Sequence, residues 1–286
     1  MATRPIVWCR KLFFILGLLA VDNLTMSAQV RDTSSTLGNI EDQVRSDVKV
    51  VLADGLDYLS APLRFSATDW MWTGAFLSAT AGLTSADLWA RNTAQRNPPS
   101  HFSATMLDAG RDYGSVLILL GASGGVYFLG IAFHDKGLLT TGRMMGEGVL
   151  LAGASRLSMG ILTGRSRPYS EKGPHFFMPL RFEDVHHSMP SGHAAFAFTI
   201  STVLSNRLAN PFLSVGLFAL AGITGVSRIS EDQHWLSDVV AGGVIGTVTG
   251  MYVIAREKAR SSSAKSGNTG FRFIPRADGF SVMYVF

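Results

Sequence analysis

Cys9 is the only cysteine in this sequence. It has no intrachain partner, so a disulfide framework and a cysteine-based zinc site are both excluded. Charge is also scarce. Only 16% of residues are Asp, Glu, Lys or Arg, against about 25% in an ordinary soluble domain. Hydrophobic residues reach 47%, which excludes an intrinsically disordered chain. No internal repeat is present, and 286 residues leave room for one large domain or two small ones. The sequence pI of about 9.4 suggests a nucleic-acid partner until the charges are placed. Residues 256–286 carry six basic residues against two acidic ones, a net +4 that equals the formal charge of the whole chain. No stacking platform or recognition fold accompanies them, so nucleic acid is excluded as a partner. A basic end on an apolar chain reads as a cytoplasmic tail, in contact with anionic lipid.

The apolar residues come in runs. Leu12–Val21, after Arg4, Arg10 and Lys11 and before Met26-Ser27-Ala28, reads as a signal peptide over 1–28. Residues 29–69 are a polar and interfacial segment: 29–48 lack a core period, and Val48–Phe65 is mildly amphipathic. Six uncharged or nearly uncharged runs follow: Trp70–Ala86, Tyr113–Phe133, Gly148–Gly164, Ala194–Asn206, Leu208–Ser227 and Val239–Ala255. About 20 residues of helix cross a hydrocarbon core, and Gly and Ala within the runs permit close helix contacts. The expected fold is all-α: a six-helix, membrane-embedded bundle over 70–256. Residues 257–286 are then a basic tail, with a small-residue linker at Ser261–Thr269 and a β-hairpin-like end around Asp278-Gly279. Oligomeric state leaves no trace in the sequence.

Three polar stretches sit at the mouths of these helices: Gly164-Arg165-Ser166-Arg167-Pro168, Pro190-Ser191-Gly192-His193, and Ser227-Arg228 followed by His234 and Asp238. Arg167 and Arg228 offer planar forks suited to phosphate oxygens. The Ser191-Gly192 turn opens a helix, where free N–H groups favour an anion. His234 and Asp238 stand four apart, so on a helix they share a face, and the carboxylate would hold one imidazole nitrogen as N–H. That set performs phosphoryl transfer and asks for no metal or cofactor. His175, His186 and His187 read as ordinary loop residues, and Asp54 and Asp57 show no evident partner.

The three blocks resemble the signature of the type 2 phosphatidic acid phosphatase and vanadium haloperoxidase superfamily, Lys-x6-Arg-Pro, Pro-Ser-Gly-His and Ser-Arg-x5-His-x3-Asp. Here the second is Pro190–His193, and the third is Ser227–Asp238 with its spacing intact. The resemblance implies catalytic roles for His234 (nucleophile), Asp238 (its orienting partner) and His193 (general acid). It implies phosphate binding by Arg167, Ser191, Gly192 and Arg228. The implied activity is hydrolysis of a lipid phosphate or diphosphate through a phosphohistidine, with the membrane and the lipid as partners. Vanadium-dependent halide oxidation, phosphoryl transfer to an alcohol and non-catalytic lipid binding are the alternatives. One position departs from the pattern: the family lysine falls on Gly160. Arg156, one turn earlier, is expected to lean away from the site, since helical side chains point toward the N-terminus. Arg165 or Lys172 is the expected substitute.

A cytoplasmic tail behind six spans puts the three blocks on the periplasmic side of a bacterial-type cell membrane. It also puts residues 29–69 in the cytoplasm, whereas a cleaved signal would leave them outside. The two expectations conflict.

Overall fold

The computed structural model describes residues 33–266, 270–276 and 279–285, with side chains over 40–262. The expected signal segment 1–28 lies outside the described residues. The helices are α1 (Thr33–Ser60), α2 (Ala67–Leu83), α3 (Asp87–Arg96), α4 (His101–Tyr113), α5 (Val116–Phe133), α6 (Lys136–Thr163), α7 (Gly192–Leu208), α8 (Pro211–Ser230) and α9 (Leu236–Ser266). Beyond them, β1 (Gly270–Arg276) pairs antiparallel with β2 (Gly279–Val285), Phe273 opposite Val282.

Local chemistry sets the helix limits. Ser66 and Asp69 form a capping box at the start of α2. Asp135 caps α6 by accepting from the Gly137 and Leu138 N–H groups. Asn210 caps α8 in the same way, with Pro211 at the first helical position. At the far end of α6, Gly164 adopts φ +60°, and a Cβ there would stand 1.8 Å from the Met178 carbonyl oxygen. Only glycine fits that stop.

The six-helix expectation is corrected. Each apolar run became a helix, but α1, α3 and α4 were added. These three are polar or amphipathic, so a search for long apolar runs passes over them. Among the described residues, three helices are long and apolar enough to cross a bilayer: Val116–Phe133, Pro211–Ser230 and Leu236–Ser262. The bundle is that of a membrane protein. The run that became α7 is apolar for another reason. Ala194, Ala195, Ala197, Ile200 and Val203 are buried on different sides of it by neighbouring helices, so α7 is the centre of the protein core.

α9 lies closest to α7. Cβ atoms added at Gly242, Gly246 and Gly250 would stand 2.4 Å from the Ser191 carbonyl oxygen, 2.2 Å from that of Ala195 and 2.7 Å from Thr202 Cβ. Glycine at every fourth position therefore gives α9 a smooth face on which the α7 backbone rests. This contact sets the Ser191-Gly192 turn directly against the first turn of α9.

Two further expectations change. α9 continues to Ser266, so the expected boundary at 256/257 falls inside a helix, as do residues 261–266 of the expected linker; its remaining residues lie outside the described ones. Asp54 and Asp57 do have partners. Asp54 is buried and accepts from Arg256 (2.8 Å) and from Arg260, while Asp57 pairs with Arg64 at 2.7 Å. Burial works against the Asp54 charge, but the two arginines outweigh it and lower its pKa. Part of the basic tail is thus neutralised within the bundle, which weakens its use as a topology signal. α1 spans part of the expected polar stretch 29–48 and most of the mildly amphipathic Val48–Phe65 as one helix. Val44, Val48, Leu52, Leu56, Leu59 and Leu63 form an exposed apolar stripe along it and the turn that follows.

Gly246→Ala is expected to lower stability by about 1–3 kcal/mol through overpacking against the Ala195 carbonyl. Thermal unfolding in detergent, with Gly216→Ala as the control in open space, measures it.

Candidate active site

The C-termini of α6 and α8 and the N-termini of α7 and α9 meet at one end of the bundle, and the three polar stretches meet with them. Ser191 N–H donates to the Asp238 carbonyl at 2.9 Å, and His234 N–H to the Arg228 carbonyl at 3.2 Å. The long connection 164–191 closes over this end. In it, Ser166 N–H donates to Phe176, Arg167 N–H to Val185 and Ser188 N–H to Arg165.

His234 is buried just ahead of α9, not on it. Its Nδ1 donates to the Ser188 carbonyl at 2.7 Å. A carbonyl only accepts, so Nδ1 carries the hydrogen and Nε2 keeps a free lone pair. The expected direct bond from Asp238 is therefore corrected: Asp238 Oδ2 lies 3.9 Å from Nδ1. That oxygen accepts instead from Ser188 Oγ (2.5 Å) and Trp235 N–H (2.9 Å). Asp238 acts on the imidazole through Ser188, whose hydroxyl it holds and whose carbonyl holds His234. The shared helical face fails because the helix begins two residues after the histidine.

The remaining oxygen of Asp238 accepts from Arg165 Nη1 at 2.6 Å. Arg165 is wholly buried and also donates to Asp87 Oδ2 (2.6 Å), Ser237 Oγ (2.7 Å) and the Pro174 carbonyl (2.6 Å). The Phe177 and Trp235 rings flank it at 5.6 and 5.7 Å. With all these partners Arg165 is no spare cation for a substrate. Lys172, the other expected substitute, is exposed, with its ammonium 4.8 Å from the Phe176 ring.

The expected phosphate binders gather round the α7 turn. Arg167 donates to Gln233 Oε1 (3.1 Å), the Asp184 carbonyl (3.0 Å) and Asp184 Oδ1 (2.9 Å). Arg228 is buried, and its Nη2 forms an ion pair with Glu231 that lacks hydrogen-bond alignment. Ser191 Oγ is buried as well. Ser191 Oγ and Arg228 Nη2 are both without a hydrogen-bond partner. A buried hydroxyl without a hydrogen-bond partner at the mouth of a helix, beside an arginine whose counter-charge is part-exposed, suits an anion.

His193 stands on the first turn of α7. Burial, then the charges of Arg228, His234, Arg167 and Arg156, depress its pKa to about 3. Burial also lowers the pKa of His234, and Arg167 adds to this while Asp238 opposes it. Burial and the neighbouring guanidinium groups thus favour the neutral form of both imidazoles.

His186 and His187 are buried loop residues, His186 bonded with Ser166 Oγ at 3.0 Å and His187 Nε2 donating to the Arg181 carbonyl at 2.7 Å. Among the described residues no group of three or more His, Cys, Asp or Glu is placed to hold a metal ion. Sequence reasoning missed the structural weight of Asp87, Ser188, Gln233 and Asp184. Asp87 stands 150 residues from Ser237, whose N–H and hydroxyl it accepts, and no local pattern marks it.

Residues 143–261 match the model of the PAP2 superfamily. Over those residues, fewer than half of the chain, it is similar to PAP2-superfamily proteins. The match covers the three expected motif stretches, whereas Asp87 lies outside it. Over 65 residues the chain is 42% identical to the lipid A 1-phosphatase of Porphyromonas gingivalis, covering 22% of this chain and 15% of that protein. It is 36% identical over 97 residues to the phospholipid phosphatase-related protein type 1 of Rattus norvegicus, covering 29% of this chain and 30% of that one. The chain therefore spans less than a third of the length of either relative. Among solved structures, LpxE of Aquifex aeolicus covers 59% of this chain and 94% of its own length, with TM-score 0.46 and 22% identity. The PAP2-type phosphatidylglycerolphosphate phosphatase of Bacillus subtilis covers 64% and 92%, with TM-score 0.47 and 21% identity.

Asp87→Ala leaves the buried Arg165 short of one charge partner. It is expected to cost about 3–5 kcal/mol of stability, measured by thermal or denaturant unfolding in detergent.

Proposed function

We propose that this protein hydrolyses a phosphomonoester or diphosphate carried by a membrane lipid, through a phosphohistidine intermediate. The observation that carries the reading is the His234 geometry: Nδ1 is committed to the Ser188 carbonyl at 2.7 Å, which leaves Nε2 as a neutral nucleophile. Arg167, Arg228 and the Ser191-Gly192 turn hold the phosphate oxygens beside it. Nε2 attacks phosphorus and the P–O bond to the lipid breaks. His193 gives its proton to the leaving oxygen. Water then attacks the phosphohistidine, returning its proton to His193 and releasing phosphate.

The low pKa of His193 is part of the chemistry. Three guanidinium groups and burial expel its proton. A phosphate that settles among them brings opposite charge and raises the affinity of His193 for a proton. The acid is thereby armed by the substrate, which can itself deliver the proton as a monoanion.

The lipid itself follows from placement. The site caps a bundle with three helices apolar enough to cross a bilayer, and the exposed stripe of α1 supports an interfacial position for residues 29–69. Residues 70–256 form the phosphatase bundle in this reading, with its site at the periplasmic face of a bacterial-type membrane. The relatives named for lipid A and phospholipids support the same substrate class.

Phosphate release from a panel of lipid phosphates tests the proposal. Wild type is expected to be active without added metal, and His234→Ala to lose about 10³-fold or more. A metal-free wild type inert on every lipid phosphate would overturn the reading.

The pH profile tests His193. Both histidines are lowered, so His234 stays neutral well below its ordinary value and proton supply to His193 limits the rate. The expected kcat/KM rises as pH falls from about 8 to about 6. A rise in the opposite direction removes His193 as the acid.

A further inference from the structure

Arg156 does not lean away from the site. Its Nη2 donates to the His187 carbonyl at 3.4 Å and lies 3.5 Å from Asp184 Oδ1. That carboxylate oxygen is also held by Arg167 Nη2 at 2.9 Å. Along its length the side chain lies against the anion turn: a Cβ on Gly192 would stand 3.4 Å from Arg156 Nε and 3.6 Å from its Cδ. Residue 160 is one turn further along the same face of α6. A Cβ there would stand 3.5 Å from His187 Cβ, in ordinary contact. Positions 156 and 160 therefore face the same part of the connection. With no side chain at Gly160, that face is open for the longer arginine to reach along.

We infer that Arg156 is the third guanidinium of the phosphate site and binds a non-bridging phosphate oxygen, supplying from one turn below the cation that Gly160 cannot. The inference rests on the phosphate site proposed above.

Asp184 stands at the place proposed for the phosphate oxygen. Its carboxylate is largely exposed yet lies between the Arg156 and Arg167 guanidinium groups. A phosphate presents more oxygens and more charge to the same pair, so it displaces the carboxylate on entry. Most of the Arg156 side chain is out of solvent, and burial together with the charge of Arg167 disfavours its protonated form. A buried and a half-buried cation sharing a single exposed carboxylate are poorly compensated. A bound anion removes that imbalance. The opposing role, a strut that only braces the 184–187 connection, needs no third cation beside Gly192.

The test uses the full chain in detergent, with orthovanadate as the anion probe and lipid-phosphate turnover as the second readout. Wild type, Arg156→Gln, Arg156→Lys and the double variant Arg156→Gln/Gly160→Lys are compared. Arg156→Gln is expected to weaken vanadate binding and to lower kcat/KM, each about 10- to 100-fold. Arg156→Lys keeps most of both. Gly160→Lys in the Arg156→Gln background regains about tenfold or more, because it returns a cation to the same face. The melting temperature separates the alternatives: a strut loses stability in Arg156→Gln, and a lysine at 160 does not rescue binding. Vanadate affinity in Arg156→Gln within about twofold of wild type, or no rescue by Gly160→Lys, overturns the inference. So does a wild type that fails to bind vanadate. A wild type that binds vanadate through Arg156 yet releases no phosphate would remove the phosphatase reading and leave this one standing.

Discussion

Arg165 is the charge on which the site hangs. A guanidinium without solvent must be paired and hydrogen-bonded on all sides, because removing it from water is expensive. Here Asp87 of α3 and Asp238 of α9 take two of its edges, and the Pro174 carbonyl takes a third. Each partner comes from a different part of the chain. Satisfying one buried cation thus brings α3, the 164–191 connection and the start of α9 into a single arrangement. The imidazole follows from it, since Asp238 fixes the Ser188 hydroxyl and the Ser188 carbonyl fixes His234. The His234 imidazole is oriented by a chain of satisfied hydrogen bonds that begins at Arg165.

Around that fixed point the site is deliberately uncompensated. Arg156, Arg167 and Arg228 converge on the α7 turn, and their carboxylates, Asp184 and Glu231, are displaced toward solvent. Arg165 is matched by two buried carboxylates, whereas these three are not. The contrast separates structural from functional cations within one small region. Burial and a positive field with loose counter-charges favour the neutral form of His193, and in the proposed reaction the same field would attract the substrate's phosphate.

The bundle contributes closeness. Glycines at 242, 246 and 250 allow α9 to lie against the α7 backbone, and that contact is what puts Ser191 and Asp238 within one hydrogen bond of each other. Apolar area alone would permit many helix arrangements. Steric fit along this seam selects one of them.

The sequence by itself determined the apolar runs, the three motif stretches and the clustering of those stretches at helix mouths. Such features are local: hydrophobic period and residue spacing are properties of neighbouring positions. It also marked His193, Arg167 and Arg228 as candidates, because each belongs to a motif that sits at a helix mouth. Only the tertiary structure decided the partners. Asp87 found Arg165 across 78 positions, Asp54 found Arg256 and Arg260 across about 200, and no spacing rule reaches that far. The His234–Asp238 bond failed for the same reason. Four residues apart implies a shared face only if the helix has already begun, and a carbonyl from 46 positions away competed successfully for Nδ1. Arg156 was misjudged because helix geometry gives the direction of a Cβ, whereas the path of a long side chain depends on what stands beside it. Here that was a glycine on its own helix and another across the seam.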